Sequence, residues 1–324
     1  SRPSLRKDRA VPAAFEAVAP IFLLVALGAV AVGRGILDER AGEALSSFAA
    51  RIGIPFLVFD TLLHADMAGL SPWLLWGCYF PAAGVAWVLG HVVARRFFHR
   101  DPRQSVIAGI GSAFANSAFV GLPLAERAYG VHGVVIVTIL ISIHLPVMLT
   151  AATLLMERAE RLGESRTQTS TRQLLRRVAR NLATNAIVLA IATAVAFRLI
   201  GLDLAVPVQQ AVTAVARAAG PMALVALGAG LRGVGLGRDL APAIAVSTSK
   251  LVVMPALVLA AGLAARLDPS TLGPQEDQAG VPARVNVHLV AVQFRTGQAL
   301  GAGIVILTTI AGALTCTAWL WLLT

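Results

Sequence analysis

Apolar runs long enough to cross a bilayer, about 20 to 25 residues each, follow one another along almost the whole chain, separated by short polar stretches. They predict ten membrane-spanning helices. The first five lie at residues 13–34, 43–65, 71–97, 104–125 and 131–155, and the second five at 181–201, 207–231, 240–265, 273–294 and 298–323. What remains is too little for a soluble domain. The chain therefore divides into a tail at 1–12, a five-helix unit at 13–156, a cytoplasmic loop at 157–180 and a second five-helix unit at 181–324. The loop pairs E-R-A-E-R with R-R-V-A-R, the pattern of a segment lying in water or on a lipid surface.

Two spans carry residues that a regular membrane helix avoids. The fourth reads F-A-N-S-A-F-V-G-L-P-L, with Asn116, Gly121 and Pro123 at its centre, and the ninth reads G-V-P-A-R-V-N-V-H-L-V-A, with Pro282 and Asn286. Proline removes a backbone donor and clashes with the preceding turn, so both helices are expected to break. Interrupted helices at matching places in two halves are the best sequence pointer to a transporter's binding site.

Composition agrees with a polytopic membrane protein: 57% of residues are hydrophobic, 14% are charged and the mean hydropathy is +0.75. A soluble chain of this length needs more polar surface. The net charge of +10 does not point to nucleic acid, because the positive residues sit between apolar runs, where cytoplasmic loops meet anionic lipid. Nearly all are arginine, as in proteins from GC-rich bacterial genomes.

The arginines also set the orientation. Sixteen lie in or beside the loops after spans one, three, five, seven and nine, including Arg95, Arg96, Arg100, Arg103, Arg172, Arg176, Arg177 and Arg180. The other loops hold at most three, Arg127, Arg198 and Arg266. This alternation puts the odd-numbered loops in the cytoplasm and both termini outside. The tail disagrees, since it carries Arg2, Arg6, Lys7 and Arg9. The internal loops take precedence, because short loops dominate orientation and the chain opens at Ser1 without a methionine; no cleavable signal pattern follows the basic tail. Trp73, Trp76, Trp319 and Trp321 fall at the expected outer interfaces. Cys78 and Cys316 lie in apolar spans without metal-ligand spacing and read as packing residues.

The halves resemble each other. V-A-V-G-R-G-I-L before R-I-G-I-P-F-L has a counterpart in V-A-F-R-L-I-G-L before A-A-G-P-M-A-L, which sets Pro55 and Pro221 at comparable depths. Five spans per half give the halves opposite orientation, an inverted repeat.

Several of these segments resemble the auxin efflux carrier family, whose bacterial members are described as malate or malonate permeases. N-S-A-F-V-G-L-P-L-A-E-R-A-Y-G, from Asn116 to Gly130, is similar to the family's fourth-span signature, and A-A-G-P-M-A-L-V-A-L-G-A-G-L to its seventh span. K-L-V-V-M-P-A-L resembles its eighth, and V-P-A-R-V-N-V with I-L-T-T-I its ninth and tenth. The resemblance covers nearly the whole chain. It implies an all-α integral membrane protein of ten helices in two inverted five-helix repeats, with broken helices four and nine crossing beside the substrate and an elevator-type movement. One segment departs from the family, whose ninth span usually opens apolar: here it reads S-T-L-G-P-Q-E-D-Q-A-G. Either that half-helix is short and Glu276 and Asp277 face external water, or two carboxylates line the transport cavity.

The candidate site residues follow from the breaks. Asn116 and Asn286 either cap the broken ends or bind a ligand carboxylate through their amides, with Ser117 and Ser112 as further hydroxyl donors. Gly121, Pro123 and Pro282 create the breaks. The half-helix N-termini exposed there carry partial positive charge, which suits an anion. Arg284 and Lys250 are the cations with intramembrane positions. Arg284 either offsets substrate charge or pairs with Glu276 or Asp277, while Lys250 either acts in the site or snorkels to the cytoplasmic face. Arg51 and Asp60 are out of phase on one helix, and with Arg217 they read as structural ions. His144 reads as a neutral, hydrogen-bonded histidine or a proton relay. The remaining histidines lack metal spacing. No nucleophile–base pair, metal motif or phosphate loop appears, so the expectation is a transporter, not an enzyme.

These observations imply a secondary or facilitative carrier of a small organic anion, a carboxylate or dicarboxylate, in a bacterial cytoplasmic membrane. The expected partners are the substrate and the lipid bilayer, with a homodimer as candidate assembly and no nucleic acid or cofactor. The rivals are a sodium- or proton-coupled carrier using Glu276 and Asp277, a membrane enzyme, and a receptor without flux.

Overall fold

A computed structural model describes residues 3–65, 69–161, 176, 179–180, 183–231 and 239–323. Most of the 157–180 loop, and several of the arginines that set the expected orientation, lie outside the described residues. Among the described residues the chain is all-helical. In order the helices are α1 (Pro3–Gly33), α2 (Glu39–Phe48), α3 (Ile54–His64), α4 (Pro72–Arg96), α5 (Pro102–Ala113), α6 (Leu122–Arg161), α7 (Ala186–Ile200), α8 (Val206–Gly230), α9 (Leu240–Thr248), α10 (Met254–Ala264), α11 (Pro269–Gly280), α12 (Asn286–Gln293) and α13 (Gln298–Leu323). One-turn π segments, Ala49–Gly53 and Ser249–Val253, join α2 to α3 and α9 to α10. A third, Ser117–Gly121, leads into α6.

Seven helical stretches among the described residues are long and apolar enough to cross a membrane. Ten were expected, and the difference arises at three places. The stretch Ser117–Glu160 counts once, yet it turns at Gly130, where φ is 62° and ψ is −150°, a backbone that L side chains rarely adopt. The apolar helix α7 has only 15 residues. The helices α11 and α12 have 12 and 8, and α11 is polar. Two expected boundaries move. The tail at 1–12 is helical from Pro3, as part of α1, and Glu157–Arg161 belong to α6 and not to a loop.

Local chemistry starts these helices where it should. Ser71–Pro72, Asp101–Pro102 and Asp268–Pro269 each place a capping side chain before a proline whose missing N–H would have no partner in the first turn. Asp101 accepts from the Arg103 and Gln104 amides at 2.8 and 2.9 Å. Asn185 caps α7 through Ile187 at 2.9 Å.

Three apolar clusters hold the helices together. One apolar cluster joins α4, α5, the later part of α6, α9, α10, α11, α12 and α13. A second joins the Ala49–Gly53 segment, α3, α7 and α8 to the Ser117–Gly121 segment and the middle of α6. A third runs from α1 and α8 to the ends of the two breaks. The crossing of α1 and α8 is reciprocal. A methyl on Gly28 would run into the Val225 carbonyl oxygen, and one on Gly228 into that of Val25. Only glycine lets two membrane helices approach so closely.

Candidate functional site

Both expected breaks are present, and they meet. The first falls between α5 and the Ser117–Gly121 segment, with Asn116 at φ −82°, ψ 59°. The second falls between α11 and α12, where Val281 is extended. Ala115 and Ala283 face each other in an antiparallel bridge. The Asn116 amide donates to the Pro282 carbonyl at 2.8 Å, and the Arg284 amide donates to the Phe114 carbonyl at 2.9 Å. The Ala283 amide donates to Thr308 Oγ1 at 3.0 Å. Backbone freed from helical bonding inside a bilayer must find partners in the protein, because hydrocarbon offers none. Here each break supplies them to the other.

In front of this junction lies a cavity of about 550 Å³ whose lining includes Asn116, Phe119, Arg284, Asn286 and His288 on the break side and Glu43, Ser46, Ser47 and Arg51 on the facing side. A second cavity of about 490 Å³, reaching Asn185 and Leu145, shares Ala50, Arg51, Phe119 and Arg284 with it. Both volumes suit a small ligand. Arg284 Nε donates to Asn286 Oδ1 at 3.0 Å, and its guanidinium sits 5.9 Å from the centre of the Phe114 ring. Arg51 is exposed into the cavity. Among the described residues, no carboxylate lies within 4.0 Å of either arginine. Two guanidiniums from opposite walls thus face one space, with Glu43 as an acid on its lining that is ion-paired with neither, the chemistry of an anion site.

Of the residues expected at the site, Asn116, Arg284 and Asn286 line the cavity. The others do not. Ser117 is buried and donates to the Ala115 carbonyl at 3.4 Å. Gly121 leaves room for the Gln278 side chain. Pro123 packs toward Gly220, and Pro282 lies against Gly312. Ser112 is buried beside Gly90. Lys250 is wholly buried and does not snorkel; Nζ donates to the Ala279 carbonyl, behind the junction.

Three further expectations change. Glu276 and Asp277 do not face water: they are 0% and 3% exposed. Arg284 therefore spends its donor on Asn286 and not on either acid. Arg51, read as structural, lines both cavities. Its signal was present in the sequence, an arginine inside an apolar span four residues before Pro55. Asp60 is structural as expected, since it accepts from Gln209 Nε2 at 2.6 Å on α8. Outside the spans, the Ser270 hydroxyl, with the Thr271 hydroxyl and amide, holds the Asp268 carboxyl below its ordinary range.

Paired broken helices beside a cationic cavity, in an all-helical apolar chain, define a polytopic membrane transport protein. Residues 13–320 match the family described as membrane transport protein, and the chain belongs to that family, the auxin efflux carriers. It is similar to a "Putative malonate transporter" of Rhizobium meliloti, 25% identical over 318 residues that cover 94% of each chain. It is also similar to an "Uncharacterized transporter" of Methanothermobacter thermautotrophicus, 28% identical over 121 residues that span 37% of this chain and 40% of that one.

Proposed function

We propose that this transporter carries a small organic anion, a short dicarboxylate such as malonate or malate first of all, across a bacterial cytoplasmic membrane. The observation that carries this reading is the pair Arg51 and Arg284, set on opposite walls of one cavity without a carboxylate partner. Two cations fit two carboxylates, and the Asn116 and Asn286 amides supply neutral donors between them. The positive end of α12 adds to the field. The name of the rhizobial relative agrees with this substrate class.

The reading includes ten spans in two inverted five-helix repeats, with both termini outside. Its support is the reciprocal bonding of the two breaks, which two-fold related halves would produce. It also includes an elevator-type movement. The cavity has the two breaks on one wall, while Arg51, on the segment that packs against α8, stands on the other. Sliding the paired breaks past the Arg51 wall would carry the bound anion with Asn116, Arg284 and Asn286, and leave Arg51 behind.

The test is flux through purified, reconstituted protein across a panel of short mono- and dicarboxylates and indole acids. We expect saturable dicarboxylate transport that is abolished by Asn116→Ala in folded protein. Binding without flux would make the chain a receptor, and normal flux in Asn116→Ala would remove that residue from the site.

A further inference from the structure

The helix α11 carries four consecutive polar residues, Gln275, Glu276, Asp277 and Gln278, and all are at least 97% buried. None lines the anion cavities. Tyr129 on α6 donates to Asp277 Oδ2 at 2.5 Å. Asp277 Oδ1 and both oxygens of Glu276 have no hydrogen-bond partner among the described residues. Lys250, from the Ser249–Val253 segment, lies within electrostatic reach of Glu276, yet no ion pair within 4.0 Å forms and its ammonium is held by Ala279. The other titratable groups that face the cluster are Tyr79 on α4, beside Gln278, and Cys316 on α13. His144 on α6 lies within electrostatic reach of Arg284 and Lys250.

Two carboxylates and one ammonium sum to a single negative charge with no exposed surface, which a low-dielectric interior tolerates poorly. The cheapest remedy is one proton. A metal ion fits less well, because Lys250 already occupies the region with positive charge and no cluster of three or more His, Cys, Asp or Glu forms among the described residues. Tyr129 is only partly buried and sits beside the exposed turn at Gly130, so its hydrogen bond ties Asp277 to a residue that reaches the surface. At the other end, Lys250 grips the carbonyl of Ala279, four residues before Ala283 in the paired break. The cluster is thus tied both to the surface and to the backbone that forms the anion site.

We propose that Glu276 and Asp277 share one exchangeable proton, with Lys250 as fixed counter-cation and Tyr129 as the surface link, and that this proton crosses the membrane with the anion. The proton is taken from water on one side and returned to water on the other. The pair titrates as a unit and not as two separate acids. The coupling part rests on the anion-transport reading; the titrating pair does not.

The experiment has two arms. In proteoliposomes with the membrane potential clamped at zero, one coupled proton sets a tenfold limit on malonate accumulation per pH unit. Wild type should approach that ratio, while Glu276→Gln, fixed in the neutral form, should fall to a ratio of about one yet keep malonate exchange. Asp277→Asn serves the same purpose, and retained exchange shows that either variant is folded. In the second arm, infrared difference spectra of the purified protein without substrate should show one carboxyl band that appears as pH falls and is lost in the variants. Absence of any such band, or a band that never titrates, overturns the site. Accumulation driven by sodium and indifferent to pH overturns the proton. A titrating band without flux of any carboxylate leaves the site standing and overturns the transport reading instead.

Discussion

Replacing Arg51 by glutamine separates binding from folding better than any other change at the cavity. No carboxylate among the described residues lies within 4.0 Å of it. Its loss therefore strands no buried partner, the usual source of large penalties when one half of an ion pair is removed. Folding should change by no more than about 0.5 kcal/mol. Binding should change more. A hydrogen bond to a charged group contributes about 1.5–3 kcal/mol, and the lower end applies because the side chain is exposed into the cavity. At about 1.4 kcal/mol per tenfold, the malonate dissociation constant should rise roughly tenfold. Thermal unfolding with increasing malonate measures both quantities, since ligand at 100 times its Kd stabilises by about 2.7 kcal/mol. The ligand-free midpoint should stay put, and the midpoint-against-concentration curve should shift about tenfold to the right. Arg51→Lys keeps the charge but loses the planar fork, so it should fall between. An unshifted curve in Arg51→Gln would refute the two-cation site.

Other changes test the scaffold. Thr308→Val removes the acceptor of the Ala283 amide and should destabilise by about 1–3 kcal/mol, the penalty of a buried unsatisfied donor. Thr309→Val loses only a bond back to Val305 and should be milder; parallel unfolding curves decide. Gly228→Ala forces α1 and α8 apart and should cost about 1–3 kcal/mol, seen as lower Tm and yield. Asp268→Ala removes the α11 cap at about 1 kcal/mol. Because the folded Asp268 carboxyl titrates below its ordinary value, its contribution is present above the unfolded pKa and disappears as pH falls through the folded one. The gap in Tm between wild type and Asp268→Asn should therefore close in acid.

The sequence made the breaks legible because proline and asparagine inside an apolar run act locally. Asn116, Arg284 and Asn286 could be placed at one site for that reason. Arg51 was visible as an intramembrane arginine, but its wall is set by how α2 and α3 pack on α8, and no spacing encodes that. Glu276 and Asp277 were misread because a polar run opening a span looks like a loop. Their surroundings come from far along the chain: Tyr129, 148 residues away, bonds Asp277, and Lys250 on a separate segment holds the Ala279 carbonyl of the same helix. Lys250 itself seemed long enough to reach water, yet the Ala279 carbonyl holds it inside.

The placement of charge explains why both breaks are needed. A single interrupted helix would leave its amides and carbonyls to solvent or ligand, and its geometry would relax whenever the ligand left. Cross-bonding through Asn116, Pro282, Phe114 and Arg284 satisfies those groups without a ligand. The same exchange fixes Arg284 toward the cavity, where Asn286 and Phe114 hold its guanidinium. On the opposite side of the junction, α11 ends with its carboxylates and the Lys250 contact buried. Arg51 and Arg284 therefore face the open space, while the two acids of α11 lie in the packed interior, Glu276 and Asp277 only a few residues before Arg284 along the chain. On the proposed reading, an anion in the cavity meets both arginines and, on the facing wall, the Glu43 carboxylate, while Glu276 and Asp277 stay behind packed protein. Reversing that order by moving a carboxylate forward, as in Asn286→Asp, would give Arg284 a permanent partner at the 3.0 Å already measured to Asn286. Such a variant should fold and lose anion affinity together with flux, whereas Asn286→Ala should lose only part of each. Reconstituted transport of malonate by the two variants distinguishes a charge effect from the loss of one amide.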